Sequence, residues 1–237
     1  MQPLTKDQRR AVCVHEAGHA IIHALAGDYI YRIAVAPEGA TEWTSESRKG
    51  SALTDLWGVC EPSDILLPFM FMTWDEGFAE YRVDRAGFRA MLKDLDRQVS
   101  AQGGKPGMRA GQMSAVRKAL CGALAGPIAE ALYLGQCPHD ATDPYTYYER
   151  GHDISKAIAF ARLLPGRTEY EHAEEQTREA LLRPDVWAMT LRLADELQRV
   201  GNIEDGIEAY LPAPVPSWPP SPRVRTARPF VVRPLEL

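Results

Sequence analysis

Two histidines four residues apart, with a glutamate directly after the first, constrain this chain more than any other feature. The stretch reads Val14-His15-Glu16-Ala17-Gly18-His19-Ala20 and lies within a pattern of helical period. Residues four apart share one face of an α-helix, about 6 Å apart along its axis. His15 and His19 therefore point the same way, as two imidazoles gripping one Zn²⁺ ion must. Glu16 is placed beside the metal as a base rather than a ligand. This H-E-x-x-H spacing is a zinc-peptidase signature. It demands a helix that is rigidly anchored, because a loose helix cannot hold ligand geometry.

The boundaries of that helix are written in the sequence. Thr5 and Gln8 form a capping-box pair at its start, and Gly27 is a C-terminal stop. Val12, Ile22, Ala24 and Leu25 supply apolar surface between them. The period then changes. Ile30 to Ala36 alternates as a half-buried strand does, ended by Pro37 and Gly39, and Thr41 to Ser51 is polar and read as a loop. A second strand is expected within Leu53 to Cys60, with Trp57 and Val59 on one face.

Ile65 to Trp74 (ILLPFMFMTW) is the longest apolar run. Its first reading is a buried core piece; its second is an apolar lip beside a cleft, or a contact between copies of the chain. Thr73 and Glu76 are expected to cap a helix carrying Phe78, Tyr81, Phe88, Met91, Leu92, Leu95 and Val99. A Gly-rich loop at 103–107 precedes a markedly apolar helix from about Gln112 to Leu134, where Gly122 and Gly126 allow close approach of another helix and Pro127 is expected to weaken or kink it. A polar loop at 136–150 leads into a helix opened by His152-Asp153 and closed by Pro165-Gly166. Further helices follow from Thr168/Glu171 to Leu182, from Asp185 to Arg199, and over about Ile203 to Leu211.

Eight of the chain's 18 prolines fall after Leu211, with Arg223, Arg225, Arg228 and Arg233, so 212–237 reads as an extended tail. The fold expected is mainly α (α+β), with a small β element after the metal helix. It divides into a folded domain over 1–211 and the tail.

A net charge of −5 over 237 residues argues against a nucleic-acid partner, and no run is apolar for long enough to span a membrane. Met1 to Arg10 lacks the apolar core of an export signal. Cys13, Cys60, Cys121 and Cys137 are scattered, without a C-x-x-C pair, and read as reduced cytosolic thiols that fill core space. A cytoplasmic location is the expectation.

Two histidines do not complete a catalytic zinc site, which has three protein ligands and an open position. His23 continues the four-residue spacing but lies about 12 Å along the axis from His15, too far for the same ion. Glu130, His139, Asp140, Asp143, His152 and Asp153 are the remaining candidates. From composition and spacing alone, an Asp near a helix start is a capping charge, and Glu130 in an apolar helix is either one half of a structural pair or a partner for a ligand histidine's free N–H. His139, His152, Tyr145, Tyr147 and Tyr148 are candidate donors to an oxyanion.

The quoted motifs, taken together, resemble those of the FtsH family of ATP-dependent zinc peptidases. His15-Glu16-Ala17-Gly18-His19-Ala20 is similar to that family's metal helix. Ala125-Gly126-Pro127-Ile128-Ala129-Glu130-Ala131-Leu132-Tyr133-Leu134-Gly135 resembles its Gly-rich helix, and His152-Asp153-Ile154-Ser155-Lys156-Ala157 its later Asp-bearing helix. Ile30 to Pro37 looks like the strand after the metal helix. The resemblance implies a helical zincin-type peptidase domain over 1–211 with 65–111 as an insertion, one Zn²⁺ held by His15, His19 and Asp153, and Glu16 as general base. Pro127 and His152 depart from the family's pattern, and these residues include neither its ATPase module nor its membrane helices. The expected activity is ATP-independent hydrolysis of flexible peptides, unfolded protein or a dedicated partner, with a substrate strand pairing to Ile30–Ala36 or the strand after it. A catalytically silent zinc-binding scaffold is the rival reading, and the tail is a candidate ligand for the cleft or for a partner.

Overall fold

The computed structural model describes residues 3–47, 50–54, 56–63, 66–78, 80–105, 107–144 and 152–220. It is mainly helical, with small antiparallel sheets. Helix α1 runs Lys6–Leu25. Its capping box is formed as the sequence requires: the Thr5 amide donates to Gln8 Oε1 (2.9 Å), and the Gln8 amide donates to Thr5 Oγ1 (3.2 Å). Gly27, at φ +85°, turns the chain out of the helix.

Strand β1 (Ile30–Val35) follows, then two-residue strands β2 (Ser45–Glu46) and β3 (Ala52–Leu53), then β4 (Gly58–Pro62). The polar 41–51 stretch is thus not plain loop, since β2 pairs with β3. The expected second strand is split, because 53–60 straddles the end of β3 and the start of β4. Near the C-terminus, β7 (Asn202–Ile203) pairs with the other edge of β1, giving the order β4-β1-β7. Two residues of strand carry no readable period, and the helix expected from Ile203 reduces to a 3₁₀ turn at Ile207–Tyr210.

The segment between the sheet and the central helix differs most from expectation. Helix α2 (Leu66–Phe69) is a single turn, and β5 (Met72–Asp75) forms a hairpin with β6 (Glu80–Val83). Thr73 and Glu76 cap no helix. Asp75 accepts a hydrogen bond from the Gly77 amide (3.0 Å), making the turn, and Trp74 stacks edge-on against Tyr81 across the strands. Local side-chain-to-backbone bonding of this kind overrides weak helical spacing. Helix α3 begins only at Arg85 and runs to Ala101, with Asp84 as its cap.

Helix α4 (Met108–Tyr133) is the centre of the molecule, packed against α1, α3, α5 (Pro138–Thr142), α6 (His152–Leu163) and α7 (Glu169–Leu181). Neighbours on so many sides explain its lack of a polar face. The helix continues past Pro127 to Tyr133, so the ring removes one backbone donor without ending it. At the α1–α4 crossing, a Cβ on Gly18 would stand 2.5 Å from Ala129 Cβ and 2.8 Å from the Ala125 carbonyl oxygen, so only glycine permits this approach. Thr168 starts α7 without a side-chain cap bond, and α8 (Pro184–Val200) packs on α1 and ends at left-handed Gly201.

Residues 212–220 lie against this body. The Val215 amide donates to the Leu25 carbonyl (2.9 Å), Trp218 packs on the core, and Pro219 is buried. Among the described residues, no helix is long and apolar enough to cross a membrane.

Candidate metal centre

Three elements meet at one point: the middle of α1, the glycine face of α4 and the first turn of α6. His15 Nε2 and His19 Nε2 lie 3.2 Å and 3.3 Å from the same oxygen, Asp153 Oδ2. Each imidazole is fixed from behind. His15 Nδ1 donates to Glu130 Oε2 (2.9 Å), and His19 Nδ1 donates to the Gly122 carbonyl (2.7 Å). A carbonyl oxygen only accepts, so the His19 proton sits on Nδ1 and its Nε2 presents a lone pair when the ring is neutral. The Glu130 carboxylate imposes the same tautomer on His15. Two lone pairs and a carboxylate oxygen then face one another, an arrangement that repels unless a proton or a metal cation lies among them.

The spacing suits a metal. Bonds of about 2.0–2.1 Å in tetrahedral geometry put neighbouring ligand atoms about 3.3 Å apart, close to the two edges at Asp153, and all three ligand atoms lie within 4.8 Å of one another. Among the described residues, His15, His19 and Asp153 are the one group of three suited to hold an ion. Room for it comes from Gly126 on α4, where a Cβ would overlap both Nε2 atoms.

The electrostatics carry the same demand for positive charge. Burial alone would lower the His15 pKa, but its hydrogen bonds to Asp153 and Glu130, with Glu16 nearby, outweigh that and raise it to about 10. Burial pushes Asp153 up, yet the charges of Lys156 and His19 and the histidine hydrogen bonds hold it well below the usual carboxylate range. Burial raises Glu16, and the two histidines only partly offset this. Glu16 is 7% exposed, beneath β4, where a Cβ on Gly58 would come within 2.6 Å of its carboxyl. Such confinement would keep a carboxylate beside a metal from ligating it, and burial favours its protonated form.

The centre opens into a cleft of about 640 Å³. Trp57, Val59, Phe69 and Phe160 supply apolar wall, while Tyr31 and Lys156 add polar groups. The Ile65–Trp74 run divides between the two readings given it: Met72 is buried, whereas Phe69, stacked edge-on against Phe160, forms part of the cleft's lip beside the exposed Met70.

Other sequence candidates separate cleanly. Glu130 sits on the cleft at His15, not in a closed apolar interior. His23 lines the same cleft but its Nδ1 faces Asp28 (2.8 Å), outside the group of His15, His19 and Asp153. His139 is largely exposed and pairs with Glu174, and it does not line the cleft. Asp140 and Asp143 belong to α5 and its end, apart from the ligand group. Tyr145, Tyr147, Tyr148 and the His152 side chain lie outside the described residues. The cysteines are not uniformly core fillers: Cys13 and Cys121 are buried, Cys60 is half-buried on the cleft, and Cys137 is exposed. Sequence reasoning missed Lys156, Tyr31 and Cys60. For Lys156 the signal was present, since it lies three residues after Asp153 on the same helical face.

No protein-family model matches this chain, and no curated protein matches it at a significant level.

Proposed function

We propose that the chain is a zinc-dependent peptidase of FtsH-like type, hydrolysing peptide bonds in flexible or unfolded segments. One observation carries this reading: two imidazole Nε2 atoms face one carboxylate oxygen at the edge lengths of a tetrahedral site, with the buried Glu16 beside them. The donor set, two histidines and a carboxylate, is that of a catalytic rather than a structural zinc site.

His15, His19 and Asp153 would hold the ion. Zinc, when bound, supplies a Lewis acid that lowers the pKa of water and polarises the scissile carbonyl. Glu16 takes the proton of the attacking water and delivers it to the leaving amine. Glu130 and the Gly122 carbonyl keep both rings in the tautomer that offers Nε2. Strand β1 is paired along one edge by β4 and over Ile33–Ala34 on the other by β7, which leaves it less free edge for a substrate. β4 is paired only to β1 in that sheet and lies along the cleft, so its outer edge is the one suited to β-addition of an extended chain. A folded substrate has no such strand to offer, and the apolar wall at Trp57, Val59, Phe69 and Phe160 suits side chains that folded proteins bury.

The test is hydrolysis of a fluorogenic peptide library by zinc-loaded protein, beside Glu16→Gln and Asp153→Ala. Glu16→Gln keeps zinc and loses about 10²- to 10⁴-fold in kcat, and Asp153→Ala loses zinc. Hydrolysis that survives Glu16→Gln overturns the mechanism. Zinc binding without hydrolysis by wild type leaves a silent zinc-binding scaffold in its place.

A further inference from the structure

Asp153 gives its two oxygens to different partners. Oδ2 faces the two histidine nitrogens at 3.2 Å and 3.3 Å, while Oδ1 lies 3.4 Å from Lys156 Nζ. Lys156 is one helical turn further along α6, and its side chain lines the cleft. An i,i+3 pair on an open surface contributes little. Here the carboxylate is 28% exposed and the ammonium 37%, at the mouth of the candidate metal centre rather than on a solvated face.

We propose that Lys156 is a positioning residue that holds Asp153 in one-oxygen ligation and so keeps a coordination position open for water and substrate. The inference rests on the zinc reading above. A carboxylate beside a divalent cation ligates through one oxygen or through both. Two-oxygen ligation by Asp153 would fill the position that a catalytic site leaves open. An ammonium 3.4 Å from Oδ1 holds that oxygen by its charge and a long hydrogen bond, leaving Oδ2 for the metal. Affinity alone does not explain a lysine here, because a cation close to a bound dication repels it. Nor does helix stability, since Asp153 already stands in the first turn of α6, where a negative charge is favourable without a partner.

The test uses Co²⁺ in place of zinc, because its visible absorption falls as coordination rises from four to five. Wild type takes up one ion per chain with intense four-coordinate absorption. Lys156→Met and Lys156→Gln, checked for helix content by circular dichroism, give the weaker five-coordinate spectrum. Their zinc affinity is no lower than wild type, and their kcat is reduced about 10- to 100-fold with KM little changed. Lys156→Arg restores the wild-type spectrum. A wild-type cobalt spectrum in both neutral variants, or loss of metal from both, overturns the proposal. Wild-type protein that binds neither zinc nor cobalt overturns the metal reading and this inference with it.

Discussion

Gly126 of α4 lies directly against the Nε2 edge of His19, and a Cβ there would overlap both that nitrogen and His15 Nε2. The glycine leaves the space in which the Nε2 edges of the two rings face Asp153 Oδ2. Adding one methyl group forces the rings off their present positions, because the α4 backbone is held on several sides. Gly126→Ala is expected to lower zinc affinity at least tenfold and to abolish hydrolysis, while the protein still folds. Isothermal titration with zinc, beside thermal melting, checks this; wild-type zinc affinity in Gly126→Ala would show that the rings do not need that space.

In the proposed zinc site Glu130 would act on the ion through His15, whose Nδ1 it holds at 2.9 Å. Removing its carboxylate frees the ring to rotate and to move its proton to Nε2, where it blocks ligation. Glu130→Ala is expected to weaken zinc binding by about 10- to 100-fold. Glu130→Gln should fall between that and wild type, since an amide oxygen still accepts the Nδ1 proton. Competition with a chromophoric chelator ranks the three; equal affinities would reduce Glu130 to a rim charge.

His15 sets a pH dependence whose direction follows from its raised pKa. The folded value is about 10, against an ordinary value of 6.5. The protonated ring is therefore favoured by the fold, and its stabilising contribution is complete below pH 6.5 and is lost as pH rises through 10. In chelator, the melting temperature of wild type relative to His15→Gln should fall across that window. Zinc competes with the proton for the same nitrogen, so zinc affinity should rise with pH and binding should release about one proton. Calorimetry in buffers of different ionisation enthalpy counts it. A flat difference between wild type and His15→Gln would contradict the assignment.

The elements that carry the site were legible because their signals are local. Thr5, Gln8 and Gly27 bound α1, and the small residues of α4 announce its close packing; alternation from Ile30 places β1, but the strand is not half-buried, since Ile33, Ala34 and Val35 are buried in succession. The joining of His19 to Asp153, 134 positions apart, is not local. It was reached by likeness of motifs, since no periodicity connects α1 to α6. Thr73, Glu76, Phe78 and Tyr81 imitated a capped helix, and the Asp75–Gly77 turn with the Trp74–Tyr81 pair made a hairpin instead. β7 was invisible because two residues have no period. Lys156 was passed over because a lysine on an amphipathic helix looks like a solvated charge until the partner of Asp153 Oδ1 is known.

Cysteine reactivity should follow burial rather than sequence position. Burial raises Cys13 to about 11 and Cys121 to about 12, while Cys137 is exposed. The thiolate is the reacting species, so at neutral pH an alkylating reagent should label Cys137 first and leave Cys13 and Cys121 unmodified until the protein unfolds. Peptide mapping by mass spectrometry after timed quenching checks the order, and early labelling of Cys121 would mean that the α4–α7 contact opens readily.

The opening residues of the Pro-rich segment contribute to stability, which changes how the tail should be tested. Val215 pairs with the end of α1, Trp218 packs on the core, and the Pro220 carbonyl accepts from His172 Nε2 at 3.1 Å. A chain ending at Leu211 loses these contacts, whereas one ending at Pro220 keeps them. Half-burial of a tryptophan together with a buried proline is worth about 2 kcal/mol, so the shorter chain should melt about 5 °C below the longer. Activity gained on cutting after Leu211 cannot be credited to relief of inhibition unless cutting after Pro220 gives the same gain. Melting curves of the two truncations decide it, and equal midpoints would mean that 212–220 merely lies on the surface.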